Sequence, residues 1–159
     1  MGPKQPSPQS RLAGFIAKYD PKVARVARQA LGKMRKLQPG AVELVYDNYN
    51  ALAIGFGPTE RASELIFSIA LYPRWVSLFF AHGVGLPDPH GLLQGSGSRF
   101  RHIVLESAAT LDRLPVRALL RQALKNAGRE FRAGQGRIVV KSVSAKQRPR
   151  RPTPDPRPR

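Results

Sequence analysis

All three histidines of the chain, His82, His90 and His102, fall within one stretch, AHGVGLPDPHGLLQGSGSRFRH. Imidazole nitrogens with the carboxylate of Asp88 have the chemistry to hold zinc or iron. Their spacing is irregular and gives no compact ligand motif, which makes them weak metal candidates beside the plain reading of structural histidines. The same stretch offers a second chemistry. Backbone amides around Gly95, Ser96, Gly97 and Ser98, with Arg99 and Arg101 as counter-charges, form a candidate cradle for phosphate or another small anion. The run GLLQGSG matches neither GxGxxG nor GxxxxGK[ST], so it carries no nucleotide motif. A third reading is a long connection between strands whose prolines and glycines set turn geometry, with Leu92 and Leu93 plugging one end of the core. These readings rank as connector first, anion pocket second and metal third.

Catalytic chemistry finds less support. Ser96 and Ser98 have histidines nearby in sequence, but GxSxG is absent and the few acids are scattered. No catalytic residue and no cofactor is assigned, and the chain reads as a binding module rather than an enzyme.

A second group of residues has chemistry through charge alone. The 27 Lys+Arg against 10 Asp+Glu give a formal charge of +17, which attracts polyanions such as nucleic acid, or a small anion. Two periodic runs carry part of this excess. In the first, Lys22, Arg25, Arg28, Lys33 and Lys36 flank the apolar positions Val23, Val26, Ala30, Met34 and Leu37. In the second, Arg113, Arg117, Arg121 and Lys125 alternate with Val116, Leu119, Leu120, Ala123 and Leu124. Both patterns are amphipathic helices with basic outer faces, and a solvated exterior is the plain alternative to a binding surface.

The elements that position these groups follow from punctuation. Asp20 as N-cap and Pro21 at the first helical position start a helix that Pro39 and Gly40 stop near Leu37. Residues 10–18 form a shorter amphipathic turn or two before it. Strand-like runs at 42–46, 51–56, 64–72, 75–82 and 101–106 are rich in β-branched and aromatic residues, and Pro73 marks a hairpin. Pro115 opens the second long helix, and RIVVKSV at 137–143 adds a late strand at a sheet edge. One strongly apolar sheet side requires helices against it, so the expected fold is α+β, a two-layer sandwich with helices on one face of an antiparallel sheet. Tyr72, Trp75 and Phe79 then form an aromatic patch on the other face, a candidate surface for protein interaction or homo-oligomer formation.

The expected organisation is a disordered tail at 1–9, one domain at 10–145 and a basic, proline- and arginine-rich disordered tail at 146–159. Hydrophobic residues make up 42% of the 159 residues, yet no run has the roughly 18 uncharged apolar residues of a membrane span. The absence of cysteine removes disulfides and thiolate chemistry and fits a reducing cytoplasm.

The stretch from Phe15 to about Ala127, above all RWVSLFF, GVGLPDPHGLLQGSG and RHIVLES, resembles the YdhG-like family, the domain of unknown function numbered 1801. The likeness rests on Tyr19-Asp20-Pro21, Leu86-Pro87-Asp88-Pro89, Gly91-Leu92-Leu93, Gly95, Gly97 and Arg101-His102. It extends to KSVSAKQRPRR, which is similar to endings of bacterial members. The resemblance implies a frataxin-like fold of helices against an antiparallel sheet, and some relatives carry an iron-chaperone label. Frataxins present an acidic ridge on the first helix, because hard iron cations prefer carboxylate oxygen. Here that helix carries Lys22, Arg25, Arg28, Lys33 and Lys36, so a frataxin-like metal-carrier role is disfavoured.

Overall fold

The computed structural model describes residues 5–152. Helix α1 (Pro8–Ala17) begins two residues before the expected start at Ser10. The Ser7 side chain accepts the Ser10 N–H at 3.1 Å, and Pro8 supplies the preset backbone angle of a first helical residue. The same grammar repeats at α2 (Pro21–Leu37), where Asp20 accepts the Lys22 N–H at 3.0 Å. Val23, Ala24, Ala27, Ala30, Leu31 and Met34 form its buried stripe, while Val26 and Leu37 are half-buried at its margins.

Five strands follow as an antiparallel meander: β1 (Val42–Asp47), β2 (Leu52–Gly57), β3 (Phe67–Leu71), β4 (Val76–Phe80) and β5 (Arg101–Leu105). Helix α3 (Leu114–Ala127) then carries the chain back across the sheet, so that β6 (Arg137–Val143) lands beside β1 and runs parallel to it. The sheet order is β5-β4-β3-β2-β1-β6. The fold is therefore α+β, with three helices and a six-stranded, mostly antiparallel open sheet. Leu52, Ile54, Phe56, Phe67, Ile69, Leu71, Val76, Leu78 and Phe80 alternate along their strands and join the buried residues of all three helices in one core cluster.

Three expected boundaries are corrected by the structure. The strand expected over 64–72 starts only at Phe67. Residues Ala62–Glu64 form a single 3-10 turn, and Leu65 folds over Gly55, where an added Cβ would lie 2.7 Å from its methyl groups. The strand expected over 75–82 stops at Phe80, which leaves His82 outside the sheet. The third correction concerns the tails. Ser7 caps α1 and residues 8–9 are helical, so the expected tail at 1–9 is part of the fold from Ser7 onward; residues 1–4 lie outside the described residues.

At the other end, the segment expected to leave the domain after residue 145 packs against it. The Gln147 side-chain amide donates to the Asp47 carbonyl at 3.1 Å, the Arg148 N–H donates to the Tyr49 carbonyl at 2.9 Å, and Arg150 is only 7% exposed. These backbone and side-chain bonds replace the solvent that a proline-rich tail would otherwise need. Residues 153–159 of the expected tail lie outside the described residues.

Candidate anion-binding surface

Helical geometry sorts the basic residues of α2 before any partner is considered. At about 100° per residue, Lys22, Arg25, Gln29, Lys33 and Lys36 fall within one narrow outward arc, with Arg28 and Arg35 beside it. Lys22, Arg25, Arg28 and Lys36 are exposed and make no ion pair among the described residues. Arg121 and Lys125 on α3 are likewise exposed and unpaired. The remaining members are engaged. Lys33 bonds one carboxylate oxygen of Asp112, and Arg117 bonds the other at 2.8 Å while its Nε donates to the Leu111 carbonyl. Those two bonds hold the Asp112 carboxyl below the usual carboxylate range, the Lys33 bond being the larger cause. The basic side chains of α2 and α3 therefore adjoin at Asp112.

Arg35, which sequence reasoning did not single out, turns from the ridge to the end of the sheet. Its Nε and Nη2 hold both oxygens of the nearly buried Glu43 at 2.8 and 2.9 Å. Three further acids are engaged in the same way elsewhere. Asp47 pairs with Arg150 and Lys18, Glu60 with Arg137, and Glu64 with Arg129. The excess of cations over acids leaves Lys22, Arg25, Arg28, Lys36, Arg121 and Lys125 without an ion-pair partner among the described residues.

The loop between β4 and β5 is organised by its own polar groups. Both oxygens of Asp88 accept backbone N–H groups, from Leu92 at 2.8 Å and Leu93 at 2.9 Å, and Gly91 takes the positive φ that closes this turn. Leu92 and Leu93 are delivered to the core margin by that turn, as expected. A cavity of about 200 Å³ separates the loop from α3, lined by Pro87, Pro89, His90, Leu92, Pro115 and Leu119.

In the candidate cradle, Gly95 to Ser98 are exposed, and the Arg101 guanidinium is turned onto the loop itself. Its Nη1 donates to the carbonyls of Gly97 at 2.6 Å and Phe100 at 2.7 Å. Arg99 lies over the Phe100 ring, 5.9 Å from its centre. The two counter-charges are thus positioned against loop atoms and do not converge on a common anion site.

The weak metal candidates are also dispersed. His82 is exposed after β4, His90 is exposed at the loop tip, and the His102 ring lies 5.0 Å from that of Phe79. Asp88 has both oxygens committed to backbone. Among the described residues, no three His, Asp or Glu side chains come together as a metal site.

The expected aromatic patch lies on the sheet side opposite the core residues. Tyr72 and Trp75 stack across the hairpin with ring centres 4.9 Å apart, and Trp75 is 45% exposed. Burial raises the Tyr72 hydroxyl pKa. In the strand register that runs Tyr46, Ala53, Ala70, Ser77, the Ser77 and Tyr46 hydroxyls are buried without a hydrogen-bond partner among the described residues.

A cluster missed in the sequence lies where the C-terminal segment returns. The Tyr19 hydroxyl accepts the Leu52 N–H and donates to the Leu71 carbonyl, both at 3.1 Å, and burial pushes its pKa up to about 12. Arg150 stacks over the Tyr19 ring at 5.7 Å while bonding Asp47 at 2.9 Å. The available signal was the pairing of an isolated strand-end acid, Asp47, with arginines far along the chain. No family model, curated protein or solved structure matches this chain.

Proposed function

We propose that this chain is a non-enzymatic binding module, YdhG-like in family and frataxin-like in its layering of helices on a sheet, whose partner is an anion docking on the outer faces of α2 and α3. The observation that carries this reading is the unpaired set Lys22, Arg25, Arg28, Lys36, Arg121 and Lys125, left exposed while Glu43, Asp47, Glu60, Glu64 and Asp112 are each committed to an ion pair. Exposed cations of one sign attract a polyanion and release its counterions on contact, so binding weakens steeply with salt. The ridge of α2 repels rather than collects iron, which supports separating this chain from the iron-chaperone label of some relatives. Heparin and polyphosphate test the reading in titrations from 50 to 300 mM NaCl. Micromolar binding at low salt, lost as salt rises, supports it; no binding at 50 mM overturns it.

A second reading is favoured by one observation, the Tyr72–Trp75 stack on the open side of the sheet. A flat aromatic patch of this type suits a protein partner or a second copy of the chain, since Trp and Tyr bury large areas at little entropic cost. Light scattering of the protein and of Trp75→Ala tests it. A dimer that becomes a monomer in the variant supports self-association, and a monomer in both removes it.

A further inference from the structure

We infer that the α2 ridge takes the phosphodiester backbone of a nucleic-acid duplex, read without regard to base sequence; this rests on the anion-binding reading above and names its partner class. From Lys22 to Lys36 the ridge is roughly 21 Å long at 1.5 Å per residue, comparable to about six axial phosphate steps of one strand at 3.4 Å each. Lys22, Arg25, Arg28 and Lys36 stand along it unpaired, Gln29 offers a neutral donor and acceptor in the middle, and Gly32 has open space where a side chain would begin. A bare glycine in such a row lets a phosphate chain approach the helix closely.

The same surface argues against a lipid interface and against a single strand. Its outward arc has no Leu, Phe or Trp to enter a lipid interface, because the apolar stripe of α2 is already buried in the core. It also has no aromatic side chain on which an unpaired base could stack, and the stacked Tyr72 and Trp75 lie across the sheet from the core that α2 covers. A duplex, whose bases are already stacked and whose charge lies outside, fits a cation ridge with neither feature. The Lys33–Asp112–Arg117 bridge extends this surface toward Arg121 and Lys125 on α3, so about five phosphates are neutralised at once.

The test is a fluorescence-anisotropy titration of the full chain with a 20-base-pair DNA duplex, a base-scrambled duplex and heparin, each at several salt concentrations. The expected slope of log K against log salt is about −4.5 for either duplex, with affinities within twofold of each other. The triple variant Lys22→Gln, Arg25→Gln, Lys36→Gln shrinks the slope by about 2.7, whereas Arg74→Gln, at the exposed hairpin beside Trp75, shrinks it by at most about 0.9. Thermal melts of both variants confirm that the fold is intact. If heparin binds and the duplexes do not, the nucleic-acid inference is wrong and the broader anion reading stands. If neither binds, both fall. If one duplex is preferred more than tenfold, or if Arg74→Gln costs as much as the triple variant, the ridge is not the backbone site.

Discussion

Asp47 has no exposed surface, yet it gathers groups from the end of α1 and from the C-terminal segment. Its carboxylate holds Arg150 at 2.9 Å and Lys18 at 3.6 Å, and its carbonyl accepts Ser144 N–H and the Gln147 amide. Burying a carboxylate is costly unless a cation accompanies it, and here the cation arrives from 103 residues away. The pair fixes where the C-terminal segment lies, since Arg150 can satisfy Asp47 only from one place. Removing Arg150 leaves the buried Asp47 carboxylate only the more distant, half-exposed Lys18. Arg150→Ala is therefore expected to cost roughly 3–5 kcal/mol in urea unfolding. The double variant Arg150→Ala, Asp47→Ala should cost clearly less than the two single changes added together, because the second change removes the stranded charge. Additive losses would mean that the two residues act separately and that the bond does not hold the segment.

At the scale of elements, what could be read in advance divides by the range of the interaction. The helix of Asp20 and Pro21 and the strand alternation were legible, because a cap, a first-position proline and a repeat of two or four residues act within one turn or one pleat. The same signal at Ser7 and Pro8 starts α1 two residues before the expected Ser10, through the same N–H acceptance. The start of β3 is not legible in the sequence, because Leu65 continues the apolar alternation yet serves Gly55 on a neighbouring strand, a contact with no local sign. Gly40 is similar. Its φ of +88° fits the helix stop that Pro39-Gly40 announced, but the contact of its missing side chain with the Arg132 carbonyl, where a Cβ would fall 2.1 Å away, belongs to the distant α3–β6 connection. The parallel placement of β6 follows from an α3 crossover that composition alone does not orient. Of the candidate site residues, the helix cations were legible through periodicity. The loop cradle was not settled by residue type, because an arginine beside glycines looks the same whether it faces an anion or, like Arg101, its own backbone carbonyls.

For the whole molecule, the decisive quantity is the balance between internal attraction and self-repulsion at a formal charge of +17. The exposed pairs Arg137–Glu60, Arg129–Glu64 and Lys33–Asp112 each contribute little, because solvent screens them and salt weakens them further. Against them stand like-charge neighbours at helical spacing: Lys22 with Arg25, Arg25 with Arg28, Lys33 with Lys36, Arg117 with Arg121, and Arg121 with Lys125. Each costs about 0.2–0.5 kcal/mol, and together they cost about 1–2.5 kcal/mol before longer-range repulsion is included. Screening shortens to about 10 Å at 0.1 M salt, which removes the long-range part first and leaves the buried Asp47–Arg150 pair largely untouched. At a net charge of +17 the long-range repulsion that salt screens is larger than the attraction it takes from the exposed pairs, and adding NaCl from 10 to 150 mM should raise the melting temperature by about 3–6 °C, since 1 kcal/mol corresponds to roughly 2–4 °C in a chain of this size. Sulfate at equal ionic strength should raise it further if the ridge binds anions. A melting temperature that falls with salt would mean that the ion pairs dominate and that the basic faces of α2 and α3 carry no stored repulsion for a partner to relieve.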